Sequence, residues 1–269
     1  MDETSHSHDL KAPMPKFLVF LLALTSGAVV ANLYYNQPLL ASIALDLKIP
    51  ETRVGLIPTL TQIGYGLGLL FVTPLGDRAE RRGLIVTMVL LAAAALTLTA
   101  AVNAALLVIG CSLLVGLFSV TPQLIVPFAA TLAGPEERSR VVGVIMSGLL
   151  IGILLARTAS GMIGAHLGWR AVYWCAAVLM LVFAALLRIF LPYSRPAQAP
   201  RYHQLLGSLP RLLMEFRPLQ EAALTGAGLI IGTVTEVFSG TVPAGQVISQ
   251  DPAAAVLVAP GAAVALEVS

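Results

Sequence analysis

Charge is scarce in this chain: Asp, Glu, Lys and Arg make up 11% of its 269 residues, against about 25% in soluble domains. That shortage excludes an ordinary water-soluble domain. With 57% hydrophobic residues and a mean hydropathy of +0.87, it marks a membrane protein. Cysteine is nearly absent too. Cys111 and Cys175 each stand alone in an apolar run, which gives neither a zinc spacing nor a disulfide framework. Both read as small core hydrophobes. No nucleotide loop, nucleophile constellation or metal-ligand cluster occurs, and His6 and His8 read as part of a disordered tail. The sequence therefore predicts no enzyme, no cofactor, no resident metal and no nucleic-acid partner.

Long apolar runs are abundant. A bilayer core of about 30 Å needs roughly 20 apolar residues per helix. Six segments qualify: Phe17–Leu40, Val54–Leu75, Leu84–Val102, Ala105–Pro127, Val141–Gly164 and Ala171–Leu191. The first has the look of a signal peptide, but further spans follow and no small-residue cleavage site precedes Tyr34. With the N-terminus inside, the cytoplasmic connections hold Lys11, Lys16, Arg78, Arg81, Arg82, Arg138, Arg140, Arg195 and Arg201, and the outer ones only Lys48, Arg53 and Arg170. That bias fixes the orientation and places the residues after Leu191 in the cytoplasm.

Acidic residues are missing from all six spans, so no protonatable carboxylate stands in a pathway here. Polar side chains are present instead. The stretch ANLYYNQPLL carries Asn32, Tyr34, Tyr35, Asn36 and Gln37. Asn36 lies about 28 Å along the first helix from Phe17, and Arg157 about 24 Å along the fifth from Val141. Arg157 is the one charge well inside a predicted span, and leaving it unpaired there costs about 3 kcal/mol on insertion scales. It needs acceptors such as the Asn36 or Gln37 amide, a tyrosine oxygen, water or an anionic ligand. Two readings follow: Arg157 and the 32–37 cluster line the outer part of a translocation cavity, or they form a network that only pins helix one to helix five. Gln62 and Tyr65 in the second helix and Gln123 in the fourth are further candidates for the cavity wall. Gly64, Gly66 and Gly68 suit close helix contact, and Pro122 and Pro127 predict a kinked helix end.

The loop TPLGDRAERRG, Thr73 to Gly83, resembles the signature of the major facilitator superfamily in its charged positions Asp77, Arg78, Arg81 and Arg82. The first glycine of that pattern is Thr73 here and the middle one is Glu80. The resemblance implies that these four charged residues work as a conformational gate rather than a substrate site. TPLGDRAERR and GMIGAHLGWR, 88 residues apart, sit where inverted three-helix repeats place corresponding loops. GPEERSRVVG, LGWRAVYW, YYNQPLL and ARTASG extend the likeness over about residues 15–218, the last two toward bacterial efflux and metabolite permeases. The arginine that many members carry in helix four is absent between Leu113 and Gln123.

Beyond the sixth span the composition changes. Thr225–Ser269 alternates short apolar stretches with the turn signals VPAG and APGA, which reads as a small β-rich unit. Residues 220–269 resemble a PASTA domain, most specifically in VPAGQVISQDPAA and APGAAVALEVS, without the usual opening strand. PASTA domains are associated with extracellular cell-wall or muropeptide binding, whereas the orientation puts this unit in the cytoplasm. The conflict predicts a join of two unrelated coding segments near Leu219–Leu224.

The expected architecture is an all-α membrane protein: a cytoplasmic tail (1–16), a six-transmembrane-helix half of a major-facilitator-type bundle (17–192), a cytoplasmic connector (193–219) and a β-rich C-terminal unit (220–269). The resemblance implies alternating-access transport of a small-molecule substrate across a bacterial-type inner membrane. The second six-helix half would come from another chain or a homodimer. The rival expectations are a membrane-anchored binding module with a PASTA-like tail and a non-functional truncated product.

Overall fold

The computed structural model describes residues 14–194 and three strands, 230–236, 247–251 and 263–268, with the backbone alone for Glu51, Asp77 and the strands. The chain forms two units, Met1–Pro200 and Arg201–Ser269. The His6/His8 tail and nearly all of the 193–219 connector lie outside the described residues.

Nine α-helices are described in the first unit: α1 (Lys16–Ala31), α2 (Leu40–Leu47), α3 (Glu51–Val54), α4 (Leu56–Phe71), α5 (Arg81–Ala101), α6 (Ala105–Phe118), α7 (Thr121–Leu132), α8 (Arg138–Leu167) and α9 (Trp169–Phe190). Five helical stretches are long and apolar enough to cross a bilayer: Thr52–Gly76, Arg81–Ala101, Ala105–Leu132, Arg138–Leu167 and Trp169–Phe190. Each corresponds to an expected span, with ends displaced because helices continue into their polar flanks. His166, for example, sits in the last turn of α8 rather than in a loop.

The first expected span is different. Phe17–Leu40 is not one helix: α1 stops after 16 residues, or about 24 Å. Residues 32–36 then form turns, and Gln37–Leu39 a 3₁₀ turn, before α2 begins. The backbone tightens to three-residue bonds here, Asn32 N–H to Val29 O at 3.2 Å and Leu33 N–H to Val30 O at 3.1 Å. Pro38 has no N–H to donate and disfavours α geometry at the residue before it, which explains why the break ends there. The fourth span breaks in the same way at Ser119–Val120, one turn ahead of Pro122.

Packing follows a swap of the first three rods with the last three. α1 lies on α8, α4 on α6, and α5 on α9. Exchanging rods one to three with four to six turns the first contact into the second and leaves the third unchanged, as an inverted repeat requires. The glycines obey the same rule. A Cβ on Gly27 would strike the backbone of Gly148, and one on Gly116 would strike the backbone of Thr61. Gly64 and Gly68 likewise face α6, but Gly66, two residues from each and on the opposite side of the helix, meets open space. The expected glycine stripe is therefore two residues, not three.

Leu22, Ile85, Leu96, Phe128, Met180 and Leu187 fill the bundle interior, while Phe20, Leu106, Leu154 and Ile189 point outward. Large aliphatics on both sides of helices this apolar mean that the surrounding medium is lipid. Cys111 is buried as expected; Cys175 is exposed on the outer face of α9, because its helical phase points away from the interior.

In the second unit β1 (Ile230–Glu236), β3 (Ala263–Val268) and β2 (Val247–Asp251) form a sheet in that order, β1 parallel and β2 antiparallel to β3. Val234 stands opposite Leu266, and Gln250 opposite the same residue from the other side.

Candidate functional site

The two helix breaks face one another. Asn32, the first residue past α1, donates from Nδ2 to Ser119 Oγ at 3.4 Å, and Ser119 is the first residue past α6. Ser119 Oγ–H in turn donates to Val115 O at 2.7 Å. One turn on, Asn36 Nδ2 donates to Thr61 Oγ1 at 3.2 Å, and Thr61 Oγ1–H donates to Ile57 O at 2.8 Å. Asn32 and Asn36 are buried. Their side-chain oxygens, Oδ1 in each, have no partner among the described residues. These two amides tie rod one to rods four and two.

The other candidates lie closer to the surface. Tyr34, Gln37, Tyr65 and Gln123 are half-buried, and Gln62 and Arg157 are exposed. Gln123 Nε2 donates to the Tyr65 hydroxyl at 3.1 Å, joining α7 to α4. The Arg157 guanidinium stands 5.6 Å over the Tyr34 ring, a cation–π contact that joins α8 to rod one. Tyr35 does not join this group: its ring borders an apolar hollow between α1, α8 and α9. The kink at Pro122 and the Pro127 inside α7 put Gln123 on the wall of a small hollow of about 230 Å³, which also touches Thr73, Gly76 and Arg81.

At the gate loop, Arg81 Nη1 donates to Thr131 Oγ1 at 2.9 Å and its Nε to Gly76 O at 3.3 Å. Arg82 Nη1 donates to Leu191 O, at the end of α9, at 3.2 Å. Arg78 is exposed, and Asp77's side chain lies outside the described residues. The following helix is N-capped by Glu80: its carboxylate accepts from Arg82 N–H at 2.9 Å and Gly83 N–H at 2.6 Å, and from Ser194 N–H at 3.4 Å. Glu80 was missed because it replaces the glycine of the loop pattern; its position one residue before α5 is the signal that could have found it.

The opposite end of the bundle repeats this clamp. Arg170 Nη2 donates to Val102 O, at the end of α5, at 3.5 Å and to Asn103 Oδ1 at 3.0 Å. Arg82 and Arg170 stand 88 positions apart, and Val102 and Leu191 stand 89 apart. Each arginine begins one of the paired helices α5 and α9 and caps the last carbonyl of the other, where helix ends leave acceptors unpaired. Beside Arg170, Asp46 completes the cluster. It pairs with Arg170, which stacks on the Trp169 ring at 4.2 Å, and accepts from Trp169 Nε1 at 3.0 Å.

The Arg170 hydrogen bond, followed by that of Trp169, holds the Asp46 carboxyl below the usual range. A depressed carboxyl stabilises the fold above its unfolded pKa of about 4, and this contribution is lost as pH falls through the lowered value. Asp46→Asn is therefore expected to flatten the acid limb of the melting profile below pH ~4. The variant's midpoint should fall by no more than about 3 °C near pH 7, because the pair is half exposed, and should meet that of the wild type once Asp46 is protonated. A thermal-shift series from pH 3 to 7 checks it.

A family model described as Major Facilitator Superfamily matches residues 19–267. The chain belongs to the Major Facilitator Superfamily. It is 45% identical to the uncharacterized transporter YgaY of Escherichia coli O157:H7 over 223 residues, 83% of this chain and 56% of that relative. It is 26% identical to the inner membrane transport protein YnfM of Escherichia coli (strain K12), over 69% of this chain and 45% of the relative. The crystal structure of the human organic anion transporter MFSD10 shares the fold, with a TM-score of 0.55 at 21% identity, covering 76% of this chain and 56% of that one. The chain thus spans about half the length of the curated relatives it matches. As a Major Facilitator Superfamily chain with five long apolar helices it is a multipass membrane protein. The family match continues to residue 267, through the segment that resembles a PASTA domain, and lends that resemblance no support.

Proposed function

We propose that this chain forms one six-crossing bundle of a secondary transporter that moves a small solute by alternating access, with a second bundle closing over the face made by α4 and α8. The observation that carries this reading is Arg157. It is exposed on α8, with its charge over the ring of Tyr34, two residues from Asn36. Against lipid such a position is costly; against a water-filled cavity it is not.

Tyr34, Gln37, Gln62, Tyr65, Gln123 and Arg157 line this cavity in the proposal, and Asn32 and Asn36 hold its outer end together. The unpartnered oxygens of the two asparagines favour a solute that carries hydrogen-bond donors, able to reach them when the rods part. Arg81, Arg82 and Glu80 tie α5 to α7 and to the end of α9, so the inner end of this bundle rocks as one body. Arg78 and Asp77 are left to meet the second bundle. The lysine and arginine distribution favours a bacterial-type inner membrane with both termini in the cytoplasm.

The names of more distant relatives, a chloramphenicol resistance protein of Streptomyces lividans and multidrug resistance protein D of Escherichia coli, make export of small organic compounds the direction to test first. Purified protein in sealed vesicles should accumulate a labelled solute from such a panel, in an oligomer that supplies the second bundle. A monomer with no flux for any solute would overturn the reading.

The three strands favour a second reading for residues 220–269 alone, a small β unit of PASTA type on a membrane anchor. A reporter fused at Ser269 that works only outside the cytoplasm would favour that reading.

A further inference from the structure

Two hollows meet on the side of the bundle made by α1, α8 and α9. The first, about 470 Å³, lies where α1 and α8 begin and is bordered by Lys16, Glu137 and Arg140. The second, about 520 Å³, runs along the three helices and is lined almost entirely by apolar groups. Phe20 and Val144 border both, so the charged mouth opens into the apolar groove. We propose that this groove holds one anionic phospholipid, with its phosphate on Lys16 and Arg140 and an acyl chain along the lining.

Three features point to that occupant. Among the described residues two cations, Lys16 and Arg140, border the mouth against one acid, Glu137, whose Oε2 accepts from the Met14 N–H at 3.3 Å. A basic pocket between helix ends at the membrane surface suits an anionic headgroup. From Lys16 at the mouth the two hollows together reach along α1 to Ala31, about 22 Å, which is room for an acyl chain that fills one leaflet of about 15 Å. A peptide partner would leave the mouth unmatched, and a free anion would leave the groove empty. Apolar lining under a paired cation site fits a molecule with both parts. The inference rests on the chain being membrane-embedded and not on transport, so it stands or falls separately from the proposed cavity.

The test is native mass spectrometry of the full chain in mild detergent, with phosphatidylglycerol and phosphatidylcholine added at equal concentration. Phosphatidylglycerol should be retained at least about fivefold better. The double variant Lys16→Gln, Arg140→Gln should abolish that preference. Ser147→Phe fills the groove from an exposed position about 10 Å along α8 from Arg140, leaves both charges in place and should reduce retention of the lipid by a similar factor. Size-exclusion profiles confirm that both variants fold. Equal retention of the two lipids by the wild type would overturn the headgroup assignment. Undiminished phosphatidylglycerol binding by Ser147→Phe would overturn the chain placement.

Discussion

Gly116→Ala is expected to prevent assembly of the bundle. The added Cβ would meet Thr61 O, with Tyr65 N 2.9 Å away, and neither is a side chain that can swing aside. The contact is reciprocal: a Cβ on Gly64 would meet Leu113 O of the facing helix. Only separation of α4 from α6 relieves the overlap, and that breaks the close backbone approach on which membrane helices depend in the absence of a hydrophobic driving force. The loss should be about 3 kcal/mol or more, at or beyond the upper end for overpacking. Gly27→Ala should fail in the same way at α1 and α8, where Gly148 and Gly152 leave no room. Gly66→Ala and Gly110→Ala are the controls, because nothing stands within 4 Å of a Cβ at either position. The yield of monodisperse protein and its melting midpoint measure all four. Normal yield for Gly116→Ala would show that the two helices do not approach as described.

Arg157→Leu should separate folding from function. The side chain is exposed and rests on the Tyr34 ring, so its loss leaves no buried group unpaired, and yield and melting midpoint should hold. If the guanidinium binds solute or orders the water path, flux should fall by about 10- to 100-fold, the range for one charge-assisted hydrogen bond. Arg157→Lys keeps the charge but loses the planar group over Tyr34, and should recover flux only in part. Unchanged flux in Arg157→Leu would reduce the arginine to a pin between rods one and five.

How far the sequence reveals this molecule depends on the kind of signal. Spans two to six stand out because each needs only an uninterrupted apolar run. The break at residues 32–36 does not, since Ala31–Leu40 reads as a continuation of that run until Pro38 and the two asparagines are weighed together. The loop arginines were visible by spacing, but their targets were not: Leu191 O and Thr131 Oγ1 lie far along the chain from Arg82 and Arg81. Backbone carbonyls leave no mark in a sequence. Asp46 and Trp169 lie 123 positions apart, and nothing in the sequence joins them to Arg170. The partnership of Asn32 with Ser119, 87 residues apart, becomes legible only after the three-helix repeat is laid over the chain. Among the proposed site residues, polarity in an apolar run identified candidates without saying which face each takes. The turns at 32–36 send Asn32 and Asn36 inward and Tyr35 to a different hollow, and helical phase sends Gln62 and Arg157 outward.

The central claim is that the face of α4 and α8 carrying Gln62 and Arg157 borders water. Cysteine placed at each position in turn, in a background of Cys111→Ala and Cys175→Ser, tests it with a membrane-impermeant thiol reagent applied to intact cells and to inverted vesicles. The account predicts labelling at both positions from at least one side, and none at Leu155, which lies on the opposite side of the same helix in the apolar groove. If both cysteines react only with a lipid-soluble reagent, that face lies against the bilayer and the account is contradicted.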